Sequence, residues 1–539
     1  MIDGRRRRAG TSVTRDVRPQ ESVRPWAGDA VSDNAHVPAA PGAGRTTGDR
    51  SGRAGGRRAP VTGADRGRGM GWATRTGVAV GVVLALAGGY AVADAYDVVP
   101  GVLTLEPPVP EPPPFPQAPG AAAAPPLEVE LPALDDAAPV PATGAVQTLV
   151  DGLVADTRLG PRVGVLVTDA VTGEVLGAAG ESVGHVPAST LKTFTAAAAL
   201  TSPGAHTTLP TRAVLEGQET VYLVGGGDMM LAAGAGDPTA VNGRAGLGDL
   251  AAQVAGELRL TGRTTISLRL DDTLFTGPAV APTVDPASVR NGYVAPVAAL
   301  AVNIARLTDE EYAPRAEDPA LAAAEAFVAA LAQEGVTVSG DVVRAPAPSE
   351  GRTVGEVESA PLGDVVAYLL QHSDNTITEV VGRVVALDAG LPGSGAGATQ
   401  AVRAAVEGLG VDLTGATLAD LSGLGDGSVV MPAQLDEVVG LLADPAHPRL
   451  RPGAVGLPVA GLSGTLDERY LANAGRGVVR AKTGSLPNVT SLAGTVVTAD
   501  DRLLVFSLMA DAVPDGGTYG ARLIFDDFVA SLAECGCSA

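Results

Sequence analysis

Two residues, Ser189 and Lys192, stand three apart in "PASTLKTFTAAAAL" at 187–200. Lysine is otherwise almost absent: of 38 basic residues only Lys192 and Lys482 are lysines. Arginine supplies surface charge equally well and pairs better with carboxylates, but it keeps its proton in a protein, whereas a desolvated lysine can lose one. Two lysines retained in a chain otherwise emptied of them point to chemistry that needs a titratable amine. On a helix, a hydroxyl and an amine at this spacing share one face, a single turn apart. An unprotonated amine there can take the proton of a serine that attacks a carbonyl. Pro187 sets Ser189 near the helix N-terminus, where free N–H groups favour an oxyanion.

The second lysine lies in "AKTGSLP", as Lys482, Thr483, Gly484 and Ser485. A strand, this tripeptide, a turn and another strand suit an edge strand beside a pocket, with glycine allowing close approach. Lys482 and Thr483 could then hold a substrate carboxylate. Between the two lysines lies "HSDNTITE", at the end of an amphipathic helix. Ser373 and Asn375, two apart in a loop, can both face one cleft while Asp374 turns away to cap backbone groups.

Each motif alone is weak. In the order Ser-x-x-Lys, Ser-Asp-Asn, Lys-Thr-Gly, with both lysines of the chain inside the set, they resemble the β-lactamases and penicillin-binding proteins. The 181 residues from Lys192 to Ser373 are too many for a compact β-lactamase. They are similar to the low-molecular-mass penicillin-binding proteins that are D-alanyl-D-alanine carboxypeptidases and endopeptidases, with an insertion after the nucleophile helix. "LVGGGDMML", "LDDTLFTGP", "YVAPVAALAVN", "PVAGLSGTLDERY" and "VRAKTGSLPNVTSLAG" also look like that family, and the likeness covers about residues 144–535.

The resemblance implies an α/β (α+β) fold, a transpeptidase-like domain carrying a large inserted β-rich region. It implies Ser189 as acylated nucleophile, Lys192 as its base and Ser373 as proton relay to the leaving amine. Asn375 would bind the substrate amide, Lys482 and Thr483 the terminal carboxylate, and the N–H groups of Ser189 and Ser485 the oxyanion, with Gly484 giving room. Peptidoglycan stem peptides and β-lactam antibiotics are the implied partners, and no cofactor or metal is implied. Met229 and Met230 stand where the family usually has Pro-Thr, and "DLSGLGDGSVVMP" only approximates its Ser-Gly-Leu-Ser run. Both departures are expected to concern the insertion. The rivals are a β-lactamase, which needs a glutamate and its water, and a catalytically inactive wall-binding scaffold of the same fold.

Elements must hold these residues together. "AVQTLVDGLVADTRL" spaces its apolar residues as a helix and "RVGVLVTDAVTGEVLGAAG" alternates about a Thr-Gly turn as a hairpin. Short strands and turns follow in "ETVYLVGGGDMML", "RTTISLRLDDTLFTG" and "EGVTVSGDVVRAPA"; helices return from about 357, and the chain closes with strands and a helix. This pattern predicts a serine peptidase domain in two parts, 144–200 and 357–539, separated by an inserted region at 201–356 that is structural and substrate-guiding.

Ahead of it, residues 1–75 hold 15 arginines against 7 acidic residues and read as a disordered tail. Gly77 to Ala93 is free of charge, so 76–97 reads as a transmembrane anchor with the arginine-rich side cytoplasmic and the catalytic body outside the cell membrane. A cleaved signal peptide is the alternative, given the small residues of "AVADA". Residues 98–143 are a proline-rich, extended spacer. The basic tail lacks the interleaved aromatics of a nucleic-acid arm, so no nucleic acid is expected. Cys535 and Cys537, one glycine apart near the end, permit no disulfide framework in the body.

Three further patterns are decoys. "GESVG" puts Ser182 at the centre of a nucleophile-elbow match, yet no helix follows at once. "GSGAGA" at 393–398 lacks the strand that a dinucleotide site requires. His185 and His372 are single histidines of the kind that usually pack or face solvent.

Overall fold

The hairpin read from the sequence is half of the sheet on which the Lys-Thr-Gly strand hangs. The computed structural model describes residues 134–535 together with Tyr90. The tail at 1–75, the expected anchor at 76–97 apart from Tyr90, the spacer up to 133, and Cys537 lie outside the described residues. Among the described residues no helix is long and apolar enough to cross a membrane.

From the N-terminal side, helix α1 (Thr143–Val154) precedes strands β1 (Val163–Asp169) and β2 (Val175–Ala179). A 3₁₀ turn (Ala188–Leu191) then runs into α2 (Lys192–Ala199). The next stretch is richer in helix than its short-strand reading. It contains β3 (Pro210–Glu216), β4 (Thr220–Val224), β5 (Asp228–Leu231), α3 (Leu247–Leu260), β6 (Thr265–Asp271), α4 (Pro286–Arg290), β7 (Leu300–Val302), α5 (Pro319–Gln333), β8 (Thr337–Val338), β9 (Val343–Arg344) and β10 (Arg352–Glu358). After it come α6 (Leu362–His372), α7 (Asn375–Asp388), α8 (Gly395–Gly408), α9 (Pro432–Ala443), α10 (Arg451–Gly456), β11 (Val479–Leu486), β12 (Val489–Val497), β13 (Leu503–Ala510) and α11 (Thr518–Glu534).

The first and last strands share one antiparallel sheet in the order β11-β12-β13-β1-β2. Its central strands, "VTSLAGTVV" and "LLVFSLMA", are buried almost throughout, as strands covered on both faces must be. One face packs on α1 and α11 through Val146, Val150, Phe506 and Phe525. The other supplies Ala493, Val505 and Met509 to a helical core with Phe194, Leu369, Val381 and Leu435. Each buried phenylalanine there contributes roughly 1.5–3 kcal/mol. Arg502, paired with buried Asp169 at 2.5 and 2.7 Å, also donates to the carbonyls of Asp136 and Ala138, fixing the chain just ahead of α1.

The intervening stretch builds a sheet in the order β10-β3-β4-β6-β8, with β9 also on β6. The β4–β6 and β6–β8 pairs are parallel, so crossovers are required, and α3 and α5 provide them. Leu250, Val254, Leu258, Phe327 and Leu331 of these helices close a separate core on Leu223, Leu268 and Leu270. That core explains why the region is not a simple string of hairpins.

Candidate active site

Ser189 lies in the 3₁₀ turn and Lys192 is the first residue of α2. In a 3₁₀ turn, side chains at i and i+3 eclipse, which brings the Lys192 amine to 2.9 Å from Ser189 Oγ. Lys192 is wholly buried. Its amine also donates to Asn375 Oδ1 at 2.7 Å and to the Ser422 carbonyl at 2.7 Å. Among the described residues no carboxylate bonds it directly. Burial pulls its pKa down to about 8, partly offset by the fields of Asp420, Asp374 and Glu379.

Between α6 and α7 the chain reverses in two residues. Ser373 adopts a left-handed conformation (φ 53°) and ends α6. Asp374 accepts from the Ile377 N–H at 2.9 Å and caps α7, the turned-away capping role expected of it. The same carboxylate pairs with Arg306 at 3.1 Å. Asn375, first residue of α7, has its amide fixed at both ends: Oδ1 accepts from Lys192, and Nδ2 donates to the Tyr293 carbonyl at 2.9 Å. Tyr293 and Arg306 both come from the stretch between the two sheets' halves, which therefore braces the Ser-Asp-Asn turn. Buried Arg315 ties these braces together by donating to the carbonyls of Gly292 and Ile304.

Lys482 sits on β11, buried, with its amine 2.9 Å from Ser373 Oγ and 2.9 Å from the Thr483 carbonyl. Burial pushes its pKa well below the usual lysine value, and the positive fields of Lys192 and Arg469 push the same way. An anion docking beside it would offset that cost. Thr483 Oγ1 meets Thr465 Oγ1 at 2.9 Å. Gly484 is where strand and nucleophile turn touch: a Cβ there would stand 2.7 Å from the Pro187 carbonyl and 3.1 Å from the Ser189 nitrogen. Ser491 Oγ donates to that Pro187 carbonyl at 2.6 Å from the neighbouring strand. Ser485 follows on the exposed end of β11, opposite Thr490.

The structure thus brings Ser189, Lys192, Ser373, Asn375, Lys482, Thr483, Gly484 and Ser485 to one place. The expectation for the run "DLSGLGDGS" needs correction. It belongs to the site, not to the insertion, because its Ser422 carbonyl accepts from Lys192. Gly423 in a left-handed conformation (φ 73°) lies against the Ala188 carbonyl. Sequence types conceal a role played by a backbone carbonyl; the cluster of glycines around an aspartate was the available signal. Met229 and Met230 are buried on β5, Met230 donating its N–H to Asp228.

The decoys fall elsewhere. Ser182 is exposed in a turn after β2. His185 is buried against Asp511 at 3.0 Å, and the His372 ring lies 4.3 Å from that of Tyr368. "GSGAGA" opens α8 with Ser394 as its cap and follows a helix. Among the described residues no group of three or more His, Cys, Asp or Glu side chains is placed to hold a metal ion.

Chemically the arrangement can pass a proton from Ser189 to a buried amine that also holds Asn375, and hold an anion at a second amine that bonds Ser373. The sequence pattern of the D-Ala-D-Ala carboxypeptidase 3 (S13) family matches residues 146–314 and 305–522. A carboxypeptidase of Mycobacterium tuberculosis is 35% identical over 413 residues, 75% of this chain and 87% of the relative. The carboxypeptidase DacB of Mycolicibacterium smegmatis is 37% identical over 480 residues, 87% of this chain and 99% of the relative. The crystal structure of penicillin binding protein 4 (dacB) from Haemophilus influenzae superposes with a TM-score of 0.61 at 20% identity, covering 71% of this chain and 99% of that one. A second structure of that protein, complexed with a β-lactam, gives 0.53 at 22%, covering 71% and 98%.

Proposed function

The chain belongs to the D-Ala-D-Ala carboxypeptidase 3 (S13) family of serine-type peptidases, low-molecular-mass penicillin-binding proteins, and from that premise we propose how its residues divide the reaction on peptidoglycan. Ser189 Oγ attacks the carbonyl between the two terminal D-alanines while neutral Lys192 takes its proton. The tetrahedral oxyanion is met by the N–H groups of Ser189 and Ser485. Ser373 passes a proton to the leaving amine, the C–N bond breaks, and D-alanine departs, leaving an ester on Ser189 that water hydrolyses. Asn375 orients the substrate amide. Lys482 and Thr483 hold the terminal carboxylate, whose charge suits the buried Lys482 amine.

The observation that carries this reading is the 2.9 Å contact between Ser189 Oγ and a wholly buried lysine amine that no carboxylate bonds directly. A lysine so placed has its pKa drawn towards the working range of a general base. Cleavage of a cross-link that ends in the same D-alanyl amide is the same chemistry, and we extend the proposal to it. A β-lactam offers a strained amide and a carboxylate in similar relation, and the Haemophilus influenzae protein, which shares the fold, is seen complexed with one. The catalytic body is proposed as two parts, 144–200 and 357–539, with 201–356 inserted between them. It would be held outside the cell membrane through 76–97. Protease added to intact cells should remove the body and spare the basic tail; a protected body overturns that topology.

The direct test is intact mass after incubation with benzylpenicillin. A single adduct is expected, on the peptide that contains Ser189 and absent from Ser189→Ala. No adduct on the folded protein, or one on another serine, would overturn the reading.

A further inference from the structure

Beneath the Lys192 amine lies a second layer of acidic side chains that the reaction itself does not call on. Glu379 is four residues after Asn375 on α7, so the two share a helix face. It is buried, and its Oε1 accepts from the N–H groups of Leu421 at 3.0 Å and Ser422 at 2.9 Å. Asp420, also buried, wraps the same loop from within. It accepts from Gly423 N at 2.9 Å, Gly425 N at 2.7 Å, Ser422 Oγ at 3.1 Å and Ser428 Oγ at 3.3 Å. The Leu421 carbonyl is held at 3.2 Å by Thr195 Oγ1 of α2. Ser422 is therefore gripped at its nitrogen by Glu379 and at its hydroxyl by Asp420, and its carbonyl is the one aimed at Lys192.

We propose that Glu379 is a positioning residue for the acylation step, holding the Ser422 carbonyl against Lys192 and, with Asp420, supplying the negative field that keeps the buried amine basic. Desolvation alone would leave Lys192 neutral but a weak base, and a base is most effective when its pKa lies near the working pH. The carboxylates act against desolvation without touching the amine, so the amine stays free to bond Ser189. Burial and the charge of Asp420 raise Glu379 to about 7. Below that pH Glu379 is neutral and still accepts from both N–H groups; above it, its charge is added to the field at Lys192.

The charged and titratable groups that face Glu379 are few. Asp420 comes from the loop, Lys192 from α2, and Arg383 from α7 itself. Helix α8, packed on α7, buries only Gly397, Ala398, Ala401, Val402 and Val406. Of these groups Asp420 raises the Glu379 pKa by like charge, while Arg383 and protonated Lys192 favour its ionised form.

This inference rests on the roles proposed above for Ser189 and Lys192. Its test is the pH dependence of the acylation rate, followed by timed labelling with fluorescent penicillin in wild type, Glu379→Gln and Asp436→Asn. Glutamine keeps the shape and the accepting oxygen, so the loop stays in place and only the charge is lost. The acid limb of the profile, below which Lys192 is protonated, should move to lower pH by about one unit, the scale of one nearby charge in a protein interior. The control, Asp436→Asn, removes another buried carboxyl, one bonded to Thr168 beneath the sheet, and should leave the limb in place. Glu379→Leu, which strands two N–H groups, should in addition lower the plateau rate by about tenfold or more. If wild type shows the limb and Glu379→Gln leaves it unmoved, or Asp436→Asn moves it equally, the inference is overturned while the nucleophile and base stand. If wild type shows no limb, or labels normally as Lys192→Arg, it is the assignment of the base that fails.

Discussion

Lys192 and Lys482 are the same residue type, both wholly buried and each 2.9 Å from a serine hydroxyl, yet they sit in opposite electrostatic settings. Around Lys192 the structure gathers Asp374, Glu379 and Asp420. Around Lys482 the neighbouring fields come from Arg469 and, in its protonated form, from Lys192. Arg469 itself is spoken for by Asp526. On the proposed reading the first amine is kept basic, able to accept a proton, and the second, whose neighbouring fields are positive, receives the ligand's carboxylate.

Replacing each lysine by arginine separates the two roles. Lys192→Arg keeps the charge but removes the base, since guanidinium stays protonated. Penicillin labelling of the folded variant should fall by a factor on the order of a hundred or more. Equal losses at both positions would erase the distinction drawn here. Lys482→Arg keeps what that site requires, a positive charge, and spoils only the fit; a loss of about tenfold, mostly in KM for a D-Ala-D-Ala peptide, is expected.

Gly484→Ala tests whether the two lysine sites must close on one another. The new methyl group would press on the Pro187 carbonyl and on Ser491 Oγ, costing about 1–3 kcal/mol in stability and slowing labelling severalfold. Normal stability and labelling would show that the strand and the nucleophile turn have slack between them. The smallest effect is expected from Ser182→Ala, whose side chain is exposed in a turn; its labelling rate should match wild type.

What could be read from the chain follows the same division. Ser189, Lys192, Ser373, Asn375 and Lys482 could be singled out because their side chains recur at short, fixed spacings, and the structure brings them together. The hairpin at 163–179 and the strands at 489–510 were legible because each is a short, largely apolar run bounded by a turn. Ser422 was not, since it acts through a carbonyl that every residue owns. Glu379 was hidden for another reason: a lone acid on an amphipathic helix reads as solvent-facing, and only the fold shows two backbone N–H groups on its carboxylate. Helices α3 and α5 were missed between short strands, although "LGDLAAQVAGELRL" spaces its buried residues at three and four. The left-handed turn at Ser373 leaves no mark in composition, because its conformation is imposed by the cap at Asp374 and the braces from Tyr293 and Arg306.

The central claim, that Lys192 serves as a neutral base for Ser189, predicts a sign as well as a size for the effect of pH. A protonated amine cannot accept the serine proton, so acylation must be lost as pH falls below the Lys192 pKa and recovered as pH rises through it. The most direct measurement is the second-order rate of benzylpenicillin acylation of the wild-type protein across pH. The account predicts a rate that climbs about tenfold per unit below the bend, bends near 8, and loses this limb in Lys192→Arg. A rate that is flat through that range, or a limb that persists unchanged in Lys192→Arg, would contradict it.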